Sequence, residues 1–144
     1  MTTLVVDASV GAKWFLPHTN EPYSQEALHL LDRYARGQLK FLVPDLYWTE
    51  LTNIFWKAVR QGRWSENDGV LATKAVHGHG FPTFASKALI EDAFTIACNF
   101  QRSVYDGVYV ALALFTKTEL ITADERLANA LAAHFPVKWL GSFV

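Results

Sequence analysis

Four short apolar runs, Thr3 to Val6, Leu39 to Val43, Glu119 to Thr122 and Val137 to Leu140, are separated by stretches in which apolar side chains recur at helical spacing. Strands joined through helices cannot pair as tight hairpins, so each connection is a parallel crossover and the sheet must be covered on both faces. The expected fold is an α/β three-layer sandwich, α/β/α, with a mainly parallel central sheet. Ser9 is placed to cap the helix after the first run. A second helix is expected from Pro22 to Arg36, stopped by Gly37, and a third from Pro44 to Gln61, with proline suited to its first turn. Ser65 starts a further helix toward Gly78, Phe81 to Phe84 is a short connecting segment, and another helix runs from Lys87 to Phe100. Ser103 caps the next helix. Thr122 and Glu125 stand at capping-box spacing for the last one, which continues through Ala133.

With 51% of its 144 residues apolar, the chain can bury a core without staples, and no repeat, linker or low-complexity stretch divides it. A single domain over residues 1–144 is expected. The formal net charge of −1 excludes a broad basic field, so any nucleic-acid role must rest on a local site. The lone cysteine, Cys98, rules out an internal disulfide and suits a reducing compartment. Its apolar neighbours suggest a small buried side chain. The first sixteen residues are interrupted by Asp7 and lack signal-peptide features, and no apolar run approaches the roughly 18 to 20 residues that span a bilayer. A cytoplasmic location without membrane contact is the expectation.

Ligands of open parallel sheets bind beyond the carboxyl ends of the strands, which gives acids at those ends special standing. Asp7 directly follows the first run, and Asp124 comes two residues after Thr122. Glu50 lies in the first two turns of the helix after the second run, among Leu46, Tyr47, Trp48 and Leu51, where an unpartnered carboxylate is costly. Asp106 occupies the first turn of the Ser103 helix. Helices entering from one sheet edge bring their first turns together, so these four acids should converge. Two carboxylates about 4 Å apart repel by about 4 kcal/mol at an effective dielectric near 20, a conflict that a divalent cation removes. All-oxygen ligation favours Mg²⁺ or Mn²⁺ over zinc, and such a centre binds phosphate and activates water for attack at phosphorus.

The segments that carry these acids resemble PIN-domain nucleases, especially VapC-type toxins: Val5-Val6-Asp7-Ala8-Ser9-Val10 with Lys13-Trp14-Phe15, Glu50-Leu51-Thr52-Asn53, Tyr105-Asp106-Gly107-Val108-Tyr109-Val110-Ala111-Leu112-Ala113, and Ile121-Thr122-Ala123-Asp124-Glu125-Arg126-Leu127. The order of the motifs also matches, and the resemblance covers essentially the whole chain. It implies a PIN fold, Mg²⁺- or Mn²⁺-dependent cleavage of single-stranded or structured RNA, frequent homodimers and, in the toxin branch, a small antitoxin; in-line attack by water at such a centre would leave a 5′-phosphate and a 3′-hydroxyl. By position, Asp7, Glu50, Asp106 and Asp124 are the implied catalytic and metal-binding set, with Ser103 and Thr122 as supporting hydroxyls. Lys13, Lys57 and Arg126 are the nearest candidates for RNA contact. Gly107 departs from the alanine usual after the third acid, a change expected only to loosen the helix start.

Other meanings exist for each piece. Asp7 alone can cap a helix, Ser103 and Asp106 can be a capping pair, and Asp124 can offset a helix dipole. His77 and His79, beside a helix break, read as a solvated turn. Tyr47, Trp48, Phe55 and Trp56 suggest a subunit interface ahead of a base-stacking platform. The alternative functions are a non-catalytic PIN-like module binding RNA or protein, and a PIN nuclease of RNA processing. A phosphatase or phosphate switch of another α/β type fits less well: Asp7-Ala8-Ser9 lacks a second aspartate two positions on, and no glycine-rich phosphate loop is present.

Overall fold

The computed structural model describes residues 1–143, the side chain of Asn20 apart. Its strands are β1 (Thr2–Val6), β2 (Leu39–Pro44), β3 (Thr83–Phe84), β4 (Glu119–Thr122) and β5 (Val137–Trp139). The helices are α1 (Ala8–Gly11), α2 (Ser24–Ala35), α3 (Leu46–Arg60), α4 (Glu66–Ala75), α5 (Ile90–Phe100), α6 (Val104–Thr116) and α7 (Glu125–Leu131). The sheet order is β3-β2-β1-β4-β5, and every pairing is parallel. From β1 the chain steps through β2 to β3 in one direction, and from β4 to β5 in the other. Right-handed crossovers then set α2 to α4 on one face and α5 to α7 on the opposite one, the three layers expected from sequence. The reversal falls between β1 and β4, whose carboxyl ends open the crevice where ligands of such sheets bind.

The central strands explain the continuous apolar runs, because Leu4, Val5, Val6, Leu120 and Ile121 are all buried, as both faces of the sheet require. Each such side chain contributes roughly 1.5–3 kcal/mol when fully buried. Helix α6 is buried from Gly107 through Ala113 and packs on β1, β2 and β4. It also lies directly against α5. A β-carbon at Gly107 would run into the carbonyl of Ala93 and stand 3.0 Å from its Cα, so the missing side chain lets the two backbones touch. Gly107 is therefore a packing requirement, which the expectation of a merely looser helix start did not foresee.

Several local expectations are corrected. Pro44 ends β2 rather than opening α3: the N–H groups of Val43 and Asp45 bond to Pro82 and Phe84, so the ladder to β3 needs no donor at position 44. The Phe81 to Phe84 segment thereby supplies a short edge strand. Asp7, not Ser9, caps α1, and Asp124 caps α7 by accepting from the Leu127 N–H at 3.1 Å, which replaces the expected Thr122–Glu125 box. Cys98 is exposed, because it lies on the outward side of α5 while Ile96 and Ala97 face inward. His79 is no solvated turn. Its ring packs 5.0 Å from Phe81 and 5.2 Å from Phe15, and burial lowers its pKa, while His77 is exposed. The aromatic group on α3 divides: Tyr47 and Phe55 are core, Trp48 stacks on Phe81, and Trp56 alone of the four is exposed.

Candidate functional site

Asp7 leaves β1 at the crevice, where its own N–H bonds to the Ile121 carbonyl of β4 at 3.1 Å and fixes the turn against the neighbouring strand. Three donors converge on its carboxylate. Thr122 Oγ1 donates to Oδ2 at 2.7 Å, Ser9 Oγ to Oδ2 at 3.1 Å, and the Ser9 N–H to Oδ1 at 3.4 Å. Burial nevertheless holds the Asp7 pKa above the ordinary carboxylate range; the hydrogen bonds work against that shift, and the charge of Asp106 adds to it. Thr122 and Ser9 each serve a second partner, since Thr122 Oγ1 accepts from the Asp124 N–H at 3.0 Å and Ser9 Oγ from the Ala123 N–H at 3.1 Å. One hydroxyl network thus ties the ends of β1 and β4 together beneath two of the acids.

Glu50 projects from the second turn of α3 and carries a buried Oε1 that lacks a hydrogen-bond partner. Burial, relieved in part by the nearby Tyr109 hydroxyl and reinforced by the charges of Asp7 and Asp106, pushes its pKa up to about 7. That phenol lies close enough to influence the carboxylate without completing a bond, and the Tyr47 hydroxyl is likewise buried and unpartnered. Tyr47 reaches its place only because position 11 is glycine, as a β-carbon there would overlap the phenol. Unsatisfied buried groups carry a cost of roughly 1–3 kcal/mol each, and here they cluster beside carboxylates.

Asp106 stands in the first turn of α6, with Ser103 Oγ accepting from its N–H at 3.1 Å, so Ser103 supports the site by starting the helix. Burial raises the Asp106 pKa, Arg102 opposes that shift, and Asp124 adds to it. Asp124 is the most open of the four. Arg102, in the link between α5 and α6, joins the last two: Nε and Nη2 both approach Asp106 Oδ2 at 3.3 Å, and Nη2 lies 3.6 Å from Asp124 Oδ2.

The four acids therefore border one crevice and sense one another's charge. As they stand, no three of the acidic, histidine or cysteine side chains among the described residues form a group close enough to hold one ion. The donor set is nonetheless carboxylate oxygen throughout, with an orphaned Glu50 Oε1 and raised pKa values that a hard dication would relieve, so the residues fit Mg²⁺ or Mn²⁺. The remaining candidates separate. Lys13 is 4% exposed and committed to Glu21 Oε1 at 2.8 Å and the Pro22 carbonyl at 2.6 Å, which removes it as a nucleic-acid contact. Lys57 and Arg126 are exposed. Sequence reasoning missed Arg102, Ser9 and the two phenols as site residues. Arg102 had a usable signal, four residues before Asp106, the spacing of a helical ion pair.

The family model described as PIN domain matches residues 4–131. Ribonuclease VapC3 from Pyrobaculum aerophilum is 32% identical over 137 residues, covering 90% of this chain and 95% of the relative. Among solved structures, PAE2754 from Pyrobaculum aerophilum superposes with a TM-score of 0.66 at 19% identity, covering 98% of this chain and 85% of the other. A toxin-antitoxin complex from Klebsiella pneumoniae gives a TM-score of 0.60 at 16% identity, with 94% and 95% covered. The family model spans nearly all of the chain, including each of the four acids, and the relative's identity extends over almost its whole length: the chain belongs to the PIN domain family.

Proposed function

We propose that this chain acts, as one domain, as a metal-dependent endoribonuclease and as the toxin of a toxin-antitoxin pair in the cytoplasm. The observation that carries the proposal is the placement of Asp7, Glu50, Asp106 and Asp124 around the crevice between β1 and β4, with Glu50 Oε1 buried and unpaired. Its support is the ribonuclease relative and the toxin-antitoxin complex of the same fold. Asp7 and Asp106 would hold Mg²⁺ or Mn²⁺, with Asp124 and Glu50 beside them, and the ion when bound supplies a Lewis acid and a more acidic water. Glu50, whose Oε1 is buried without a partner beside the other acids, is suited to orient the attacking water and take its proton. Thr122 and Ser9 keep Asp7 in place during the reaction. Lys57 and Arg126 are exposed cations that would contact the RNA backbone.

The partners follow from two surfaces. A cavity of about 530 Å³ between α3 and α4, lined by Phe55, Trp56, Val59 and Val70, suits the apolar face of an antitoxin helix. Ile90, Phe94, Val104 and Tyr105 are exposed together on α5 and α6, and this is where a homodimer would form, rather than through the α3 aromatics. The test is cleavage of a mixed single-stranded RNA pool with Mg²⁺, Mn²⁺ or EDTA, using the intact chain, Asp7→Asn and Asp106→Asn. Metal-dependent products with 5′-phosphates, lost by at least about 100-fold in both variants, are expected. Absence of both cleavage and calorimetric metal binding would instead favour a non-catalytic module.

A further inference from the structure

Arg102 is a cation built into a carboxylate cluster, and its placement is determined by the backbone on both sides. Helix α5 ends with Gln101 in the left-handed region at φ 55°, and the Arg102 N–H closes back on the Ala97 carbonyl at 3.2 Å. Ser103 immediately begins α6. The arginine is thus held between two helix ends, with a side chain that is 22% exposed and a guanidinium facing Asp106 and Asp124.

The contacts are specific in what they occupy. Both nitrogens that approach Asp106 converge on Oδ2 and leave Oδ1 without an arginine contact. At Asp124, Oδ1 accepts from the Leu127 N–H as the cap of α7, and Oδ2 faces Arg102. A carboxylate oxygen has two acceptor positions, so a cation reaches Asp124 without displacement only beside the cap on Oδ1, and takes Oδ2 in place of the arginine. The cap is the better formed of the two, at 3.1 Å, whereas the arginine contact is 3.6 Å. Strong guanidinium–carboxylate hydrogen bonds are about 2.7–2.9 Å. All three Arg102 contacts are longer, as expected of a counter-ion that can be exchanged.

We propose that Arg102 is the exchangeable counter-ion of this site: it clamps Asp106 to Asp124 in the metal-free protein, yields both Oδ2 atoms when a divalent cation enters, and then contacts the RNA phosphate. This assignment rests on the nuclease reading above. It makes Arg102 a competitor of the ion and an ally of the RNA, so its removal has opposite effects on the two ligands. A guanidinium that only tied α6 to α7 would shift both in the same direction.

The experiment compares the full chain with Arg102→Gln and Arg102→Lys after removal of metal by EDTA. Mn²⁺ binding is measured by calorimetry without RNA, and steady-state cleavage is followed on a single-stranded RNA oligonucleotide at saturating Mn²⁺. Arg102→Gln is expected to bind Mn²⁺ about fivefold tighter or more while its KM for RNA rises by a similar factor. Arg102→Lys, which keeps the charge but not the fork, falls between. Unchanged or weaker Mn²⁺ binding in both variants would overturn the counter-ion role while leaving the carboxylate site standing. If the unaltered chain binds no Mn²⁺ at millimolar concentration, the site reading fails first, and this inference with it.

Discussion

Replacing Glu50 by glutamine removes a charge that the fold carries at a cost, and the size of that cost follows from the structure. Its pKa rises from 4.5 to about 7 on folding, chiefly through burial and then through the charges of Asp7 and Asp106. Because the folded value is the higher, the stability linked to Glu50 is complete below pH 4.5 and is lost as pH rises through about 7. With about 1.36 kcal/mol per unit, the loss between about pH 5 and pH 8 is of the order of 2 kcal/mol, allowing for partial solvent contact. For a domain of this size that corresponds to roughly 6–8 °C in Tm. The assay is thermal unfolding of the intact chain and Glu50→Gln in EDTA across that range. The variant should be the more stable at pH 8 by about this amount, and the gap should shrink to a fraction of it at pH 5. A gap that does not vary with pH, or that widens toward acid, would refute the reasoning, because steric or hydrogen-bond effects of the amide do not titrate in this range.

Two further substitutions probe the scaffold. Gly107→Ala, which installs the residue usual in the resembling family, should lower stability by about 1–3 kcal/mol in urea unfolding, because the Ala93 backbone leaves no room for a methyl group. Thr122→Val removes the 2.7 Å donor to Asp7 and the acceptor of the Asp124 N–H; a loss of about 1–3 kcal/mol in stability should accompany a drop in metal-dependent cleavage of at least about tenfold, measured on the RNA oligonucleotide.

What could be read from the sequence was whatever depends on periodicity and strand ends. The branched runs at Val5, Phe41 and Leu120 announce strands buried on both faces, and a parallel sheet then puts Asp7 and Asp124 at its carboxyl edge without knowledge of any distance. Pairwise geometry was not legible. Lys13 sits six residues after the first acid and looks like a phosphate contact, but the chain folds Glu21 and Pro22 onto its ammonium, a pairing across eight and nine residues that no helical or strand spacing announces. The Thr122–Glu125 spacing satisfied the capping-box pattern, yet the helix begins two residues later because Thr122 Oγ1 is engaged with Asp7. His79 reads as a turn residue because two of its packing partners, Trp14 and Phe15, come from a distant segment.

The same forces connect the site to the stability of the whole domain. Asp7, Glu50 and Asp106 all have pKa values shifted upward, with burial as the largest cause in each, so each makes the metal-free fold less stable as pH rises through its folded value. Evolution toward stability alone would replace these groups or pair them fully. Instead the nearest salt bridge to the cluster is the loose one from Arg102, and Lys13 spends its charge on Glu21. The crevice is left short of positive charge, and a ligand that brings such charge binds the folded state and not the unfolded chain, so it stabilises the domain in proportion to the deficit. Destabilisation of the metal-free site and affinity for a dication are therefore two expressions of one electrostatic arrangement, and a substitution such as Glu50→Gln that relieves the first must weaken the second.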